Sequence, residues 1–342
     1  MQELLCQGFR TNPPRRGAEG SRHRQPRYEL FSNPHDPARA AMMVPTMNAD
    51  LLDLRDRLVA QGTAELTAPR GHVSFTGEPA PDKLINDIDG HPHAFVLAAL
   101  VDRQVDAKIA WRLPHKVEER VGSFEIADLA KLSTSDWVRV LREPTALHRF
   151  IETMADVLHS GVDRIVKTYS GDAGLIWIGN PSSKTVVDRF LAFHGAGPKI
   201  ATMAANILVR YFHVRMSDYR QIDISADVQV CRVMSRLGFV SKDPNVGAVV
   251  HVARELHPAF PGIFDLAVWD IGRSICRPVN PRCPECPLND LCAYANRAKA
   301  GAFPPALDVM GVDLAKLAAL RDQGLITDAD YEAKKAEWLG RL

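Results

Sequence analysis

The sequence contains no long apolar run and almost no net charge. No stretch of eighteen or more apolar residues occurs in its 342 positions, so we expect neither a transmembrane helix nor a membrane partner. The basic residues near the N-terminus stand among Pro, Gly and Ser, without the apolar core of a signal peptide, which favours a cytoplasmic location. The formal net charge of +1 excludes a uniformly basic chain, so a nucleic-acid surface would need its positive charge concentrated on one face.

The alternation of apolar and polar residues that marks half-buried β-strands is also scarce. Apolar residues recur instead at three- and four-residue spacing, as at Leu51, Leu54 and Leu58. Over residues 94–101 they cover almost the whole helical circumference, which is typical of a central buried helix. With 46% hydrophobic residues the chain can bury a full core. The sequence therefore predicts an all-α protein.

Composition changes at both ends of the chain. Residues 1–46 are rich in Arg, Pro, Gly and His and lack apolar periodicity, so we expect a flexible basic tail. A loose linker, 294–311, precedes two short amphipathic helices in 312–342, whose joint GLITDAD supplies a Gly C-cap and a Thr N-cap. This pair resembles the short C-terminal helical module called SHOCT, which implies self-association. A hairpin docked on its own chain is the alternative.

Cysteine is rare, yet four of the six cysteines lie close together in CRPVNPRCPECPLNDLC. Their arrangement is Cys276-x6-Cys283-x2-Cys286-x5-Cys292. In a reducing compartment such crowding indicates a metal or cluster site rather than disulfides. Four thiolates satisfy either tetrahedral zinc or a [4Fe–4S] cube. Zinc ribbons normally use two C-x2-C pairs, and this segment has one, which favours the cluster.

Residues 190–206, FLAFHGAGPKIATMAAN, predict two helices joined by a tight turn at Gly195 and Gly197. Glycines leave backbone N–H groups accessible, and the second helix directs its positive end to the same place. Together they form a phosphate site that requires no particular base. Lys199, in the first turn of the second helix, is either a phosphate contact or a nucleophilic amine.

The cysteine spacing, the preceding WDIGRSIC and the glycine hairpin together resemble the endonuclease III and adenine-glycosylase family, within the helix-hairpin-helix-GPD superfamily. The resemblance covers about residues 84–293. It implies a [4Fe–4S] cluster on the four cysteines, with Arg277 and Arg282 of the cluster loop presented to DNA. His194 and Pro198 depart from the usual hairpin pattern L-P-G-V-G-x-K, which puts the local DNA contacts in doubt but keeps the hairpin.

The resemblance also implies a catalytic pair. Lys199 occupies the place of the nucleophile in bifunctional members, and DISADVQVCRV is similar to the family segment that carries the catalytic aspartate, at Asp227 here. This carboxylate would stabilise positive charge on the sugar and help deprotonate the lysine, and capping the next helix is its structural alternative. The two residues are twenty-eight positions apart, about ten more than in the family, which makes Asp223 a rival.

Gln104, in LAALVDRQVDAKIAW, resembles the family glutamine that fills the gap left by a flipped base. The usual family loop with G-L-Y-x-x-K-A is missing, and IVKTYSGDAGLIWIGNPSS stands in its region. Within it, Tyr169 and Trp177 have aromatic rings that can stack on a base or pack in the core. This departure puts the substrate pocket in doubt.

The resemblance implies two helical domains that face each other across a DNA-binding cleft. A six-helix barrel would span 86–225 and carry the hairpin. The cluster domain would combine residues 226–293 with N-terminal helices in 47–85. Lys199 and Asp227 would then meet across the cleft.

The expected function is excision of damaged bases, oxidised pyrimidines being the family default, from double-stranded DNA. Strand cleavage at the abasic site would follow through a lysine Schiff base and β-elimination. Three alternatives remain open at this point. They are a monofunctional glycosylase, a DNA-binding protein without catalysis on the same scaffold, and an electron-transfer iron–sulfur protein.

Overall fold

The computed structural model describes residues 47–242 and 244–299, together with eight isolated positions between 317 and 335. The predicted tail 1–46 therefore lies outside the described residues. The predicted linker 294–311 is described only as far as 299, where it is helical, and the predicted pair 312–342 only at the isolated positions. No strand occurs among the described residues, which confirms the predicted all-α class.

The helices of the described ranges are labelled in chain order. They are α1 (Ala49–Thr67), α2 (Pro79–Asn86), α3 (Pro92–Val101), α4 (Ala107–Val121), α5 (Ile126–Leu129), α6 (Thr134–Arg142), α7 (Ile151–Tyr169), α8 (Ser183–Leu191), α9 (Pro198–Arg210), α10 (Val228–Leu237), α11 (Val246–Leu256), α12 (Asp265–Ser274) and α13 (Ala293–Lys299). Short 3₁₀ turns lie at Ala173–Ile176, Pro261–Phe264 and Cys283–Glu285.

Helix α3 is the centre of the larger group of helices. Pro92 stands at its first position, where a missing N–H costs nothing, and all ten of its residues are buried. It packs against α2, α4, α7 and α9. The ring of Phe95 lies 5.7 Å from that of Trp111 and meets Trp177 edge-on at 6.0 Å. The apolar circumference seen in the sequence thus reflects contact with neighbours on every side.

Helix α1 joins the second half of the chain. Its buried residues face α12 and the Pro261–Phe264 turn, whereas the following helix α2 packs against α3 and α4. The predicted segment 47–85 is therefore divided. Its first helix packs with the C-terminal helices, and its second packs with the helices around α3.

A buried group of charges ties α1 to α9. The guanidinium of Arg210, at the end of α9, donates to the Glu65 carboxylate of α1 and to the carbonyl of Gly262. Burial raises the pKa of Glu65, and the positive charge of Arg210 opposes that shift. The neighbouring carboxyl of Asp265 also has a raised pKa, because it is buried. Asp265 accepts a hydrogen bond from the backbone of Ser225 at 2.5 Å.

The approach of α1 to the Pro261–Phe264 turn depends on Gly62. A Cβ at this position would lie 2.2 Å from the backbone oxygen of Ile263, which cannot move aside as a side chain can. We expect Gly62→Ala to lower the free energy of unfolding by about 2 kcal/mol, since overpacking against backbone outweighs the helix propensity of alanine. Urea denaturation measures the change.

Gly71→Ala is the matched control. A Cβ there would meet one atom within 4 Å, the oxygen of Pro69 at 3.9 Å. We expect this variant to unfold at nearly the wild-type urea concentration. Equal stability of the two variants would show that α1 does not depend on the close contact.

Candidate active site and cysteine cavity

The helical hairpin between α8 and α9 turns at its two glycines. Gly195 has a φ of +83°, a left-handed conformation, and a Cβ there would lie 2.8 Å from Val157 Cγ2. Gly197 is extended, with φ −104° and ψ 177°, and forms the N-cap of α9 without a side-chain hydrogen bond to the helix. The space around its Cβ position is open. The turn therefore presents uncapped N–H groups of α9 at an accessible backbone.

The amine of Lys199 lies beside this turn. Its Nζ is 3.5 Å from Asp102 Oδ2 and 3.4 Å from Met203 Sδ. The lysine side chain is 36% exposed and that of Asp102 only 12% exposed. The amine is thus accessible and held by a nearly buried carboxylate. Asp102 lies in the segment LAALVDRQVDAKIAW, but no motif indicated its contact with Lys199, because the two residues are ninety-seven positions apart.

The residues that follow α3 rest on the hairpin. Arg103 donates through Nη2 to the carbonyl of Gly195 at 2.8 Å. Gln104 comes next, with an exposed side chain and a left-handed φ of +51°. Its carbonyl accepts from Arg149 at 3.4 Å. The structure therefore brings the segment that contains Gln104 close to the hairpin glycines and to Lys199.

Asp227 is the N-cap of α10. Its Oδ1 accepts from the backbone N–H groups of Gln229 at 2.8 Å and Val230 at 3.0 Å. Two residues earlier, Ser225 Oγ lies 3.5 Å from Thr202 Oγ1, one turn along α9 from Lys199. The segment that leads to Asp227 thus runs beside α9 at Thr202.

The rival carboxylate is engaged elsewhere. Asp223 makes two hydrogen bonds of 2.7 Å with Arg254 of α11.

The aromatic candidates are part of the core, because Tyr169 is stacked on Phe193 at 6.2 Å and Trp177 is 5% exposed. The departing segment exposes three aliphatic side chains instead, Val166, Leu175 and Ile178.

The four C-terminal cysteines line one cavity between α10, α12 and α13. All four are free thiols. Among the described residues, no three His, Cys, Asp or Glu side chains are placed to hold a single metal ion. The four thiols thus line a shared cavity and do not form a single-ion site. Burial raises the pKa of Cys283 and Cys292, and that of Cys286 to about 11.

A buried arginine supports the start of the cysteine loop. Arg236 Nη1 lies 3.3 Å from Cys276 Sγ and donates to the carbonyl of Arg277 at 2.7 Å. Its Nη2 donates to the Pro278 carbonyl at 3.0 Å, and its guanidinium covers the ring of Tyr294 at 4.4 Å. Sequence reasoning missed Arg236 because its partners lie about forty residues further along the chain.

The two predicted DNA-contacting arginines of this loop differ in their surroundings. Arg277 and Arg282 are both exposed. Arg282 is paired with Glu285 at 2.8 Å and donates to the Ser274 carbonyl at 2.7 Å. Their DNA role stays a prediction, and the charge of Arg282 is partly compensated within the loop.

Helix α10 connects the capping aspartate to the cysteine cavity. Arg232 Nε donates to the carbonyl of Cys276 at 2.8 Å, and its Nη2 donates to Gln229 Oε1 and to the Gly272 carbonyl. A Cβ at Gly272 would lie 2.9 Å from that of Gln229, so α10 and α12 approach closely. One guanidinium thereby contacts both the first turn of α10 and the first cysteine.

Two known DNA-repair proteins share similar segments with this chain. Mouse (Mus musculus) adenine DNA glycosylase is 33% identical over 99 residues, which are 27% of this chain and 19% of the relative. Endonuclease III-like protein 1 of Gallus gallus is 31% identical over 114 residues, 32% of this chain and 37% of that protein. The matched segments thus span well under half of either relative. The resemblance to these glycosylases is confirmed.

Two further matches concern the fold and the C-terminus. A solved structure of a trapped endonuclease III–DNA covalent intermediate aligns with a TM-score of 0.50 at 16% identity, covering 74% of this chain and 100% of that one. At this identity the match shows the fold alone. A family model described as SHOCT, short C-terminal domain, matches residues 313–337, which confirms the resemblance of the C-terminal segment.

Two variants measure how much the N-cap hydrogen bonds of Asp227 contribute to stability, independently of any chemical role of its carboxylate. Asp227→Ala removes both acceptor contacts to α10, and we expect the free energy of unfolding to fall by about 1 kcal/mol. Asp227→Asn keeps a capping oxygen and is expected to stay within a few tenths of wild type. Thermal unfolding compares the two. If Asp227→Ala is as stable as Asp227→Asn, the cap contributes nothing.

Proposed function

We propose that this chain is a base-excision DNA glycosylase with AP lyase activity that acts on damaged bases in double-stranded DNA. The observation that carries the proposal is the amine of Lys199, exposed at a glycine hairpin and 3.5 Å from a carboxylate. An amine that forms an imine with a sugar needs access to the substrate and a nearby proton acceptor. Both are present here.

The hairpin is suited to the DNA backbone. Gly197 leaves open space over uncapped N–H groups at the positive end of α9. Such a site binds a phosphate without reading the sequence, which suits a protein that must act at any lesion. Gln104, exposed beside the same turn, is proposed to occupy the gap left by the extruded nucleotide.

Lys199 is proposed to attack C1′ of the damaged nucleotide, displace the base and remain as a Schiff base until β-elimination cuts the strand. Asp227 is fixed by two backbone N–H groups and would stabilise positive charge that develops on the sugar. Oxidised pyrimidines are the proposed substrates, by resemblance to the endonuclease III group.

The four cysteines are proposed to hold a [4Fe–4S] cluster. Four soft thiol ligands that line one cavity fit this group, and their family spacing agrees. When bound, the cluster would hold the loop 276–292 together by four covalent bonds. Arg232 and Arg236 already fix the start of that loop and would compensate thiolate charge there.

The C-terminal SHOCT match supports a further proposal, self-association of the chain through residues 313–337.

A second candidate function is DNA binding without lyase chemistry. The exposed aliphatic side chains of Leu175 and Ile178 favour it, because the aromatic rings of the same segment are buried in the core. An electron-transfer protein would use the cysteine cavity but gives no role to the hairpin.

Sodium borohydride trapping on duplex DNA with one abasic site tests the lyase proposal. We expect the wild type to form a covalent adduct and Lys199→Ala to form none, since the reduced imine requires the ε-amine. The adduct is measured as a shifted band on a denaturing gel.

Lys184→Ala is the control for this assay. Lys184 lies on α8, the other helix of the hairpin, and pairs with Asp188 on the surface. This variant loses the same charge and is expected to trap DNA like the wild type. An adduct with Lys199→Ala, or its absence from the wild type, would contradict the lyase proposal. Binding without an adduct would leave the monofunctional or DNA-binding alternatives.

Cysteine variants test the cluster. Cys283→Ser removes one proposed ligand, and we expect the purified protein to hold far less iron than the four atoms per cluster of the wild type and to lose visible absorption. Cys231→Ser is the control, because Cys231 lies in α10 outside the cavity lining. Full iron content in both variants, or zinc in place of iron in the wild type, would contradict the assignment.

A further inference from the structure

We propose that Asp102 is a catalytic residue that takes the proton from the amine of Lys199. The inference rests on the proposed lyase function. Asp102 Oδ2 is 3.5 Å from Lys199 Nζ, the atom that would form the bond to the sugar. In the described part of the chain, Lys199 is the ion-pair partner of Asp102.

The other carboxylates of this region have different partners. Asp227 Oδ1 accepts two backbone N–H groups of α10, at 2.8 and 3.0 Å. Asp223 is held by both donors of Arg254. Asp102 is therefore the carboxylate that contacts the amine, which divides the chemistry between two acids. Asp102 handles the proton, and Asp227 is left to stabilise charge on the sugar.

Asp102 is positioned by rigid elements. It follows directly on α3, whose residues are all buried, and its own N–H donates to the carbonyl of Ala99. The next residue, Arg103, is fixed to the hairpin through the carbonyl of Gly195. The carboxylate and the amine are thus held on two elements that a third contact locks together. Such positioning is what an acid–base pair requires.

Lys199 and Asp102 exchange one proton as the imine forms. The ammonium of Lys199 passes one proton to Asp102, and the free amine adds to the aldehyde carbon C1′ of the abasic sugar. A C–N bond forms as the carbonyl π bond breaks, and the proton on Asp102 passes to the oxygen. One of the two protons on the nitrogen then passes to the same oxygen, which leaves as water. The protonated imine remains, and Asp102 is again a carboxylate. No oxidant or reductant is needed.

The test is single-turnover cleavage of abasic-site duplex DNA with excess full-length, cluster-loaded protein, measured from pH 6 to pH 9. We expect Asp102→Asn to react about 100-fold more slowly than wild type near neutral pH, as for the loss of a general base. Its rate should rise with pH more steeply than that of the wild type, because hydroxide replaces the missing acceptor. Asparagine keeps the backbone contact to Ala99, so the variant is expected to fold.

Two further variants make the result specific. Asp188→Asn removes the same charge from α8, on the hairpin surface, and should leave rate and pH profile unchanged. Asp102→Glu keeps a carboxylate and should recover at least a tenth of the wild-type rate.

An Asp102→Asn variant with the wild-type rate and profile, or a faster one, would overturn the role of Asp102. A defect that disappears at saturating protein would make Asp102 a DNA-binding residue and would also overturn it. If the wild type itself gives no borohydride adduct, the lyase function fails before Asp102 is tested, so the two failures are distinct.

Discussion

The buried guanidinium of Arg210 is the contact on which the candidate site most depends. It joins the last turn of α9 to Glu65 of α1 and to the Gly262 carbonyl. A buried charge without partners costs several kcal/mol, so these three elements must stay together. Asp265, in the same group, holds the backbone of Ser225. One end of α9 is thereby anchored while its other end carries Lys199 beside the segment that leads to Asp227.

The sequence predicted the parts of the site that depend on local spacing. The glycine turn, the buried helix α3 and the cysteine ladder follow from neighbouring residues, because each reflects a conformation or a ligand set within one short segment. The confirmed resemblance indicated that these parts belong to one kind of protein, a DNA glycosylase. The departures from the family pattern left the pocket segment and the second carboxylate open.

The remaining features depend on tertiary packing. Asp102 and Lys199 are ninety-seven residues apart, and the partners of Arg236 are about forty residues away from it. A pattern in one segment carries no information on such pairs. The choice between Asp223 and Asp227 likewise rests on Arg254, a residue of a third helix. Tyr169 became a core residue because Phe193 of the hairpin covers its ring.

The position of α1 bears on how the chain is made. During synthesis α1 leaves the ribosome early, whereas the turn that covers Gly62 follows about two hundred residues later. At a synthesis rate of about 5–20 residues per second, roughly 10–40 seconds pass between the synthesis of α1 and that of this turn. Leu54 and Leu58 of this helix are fully buried in the finished protein. The close contact at Gly62 can therefore form only after synthesis has passed Ile263.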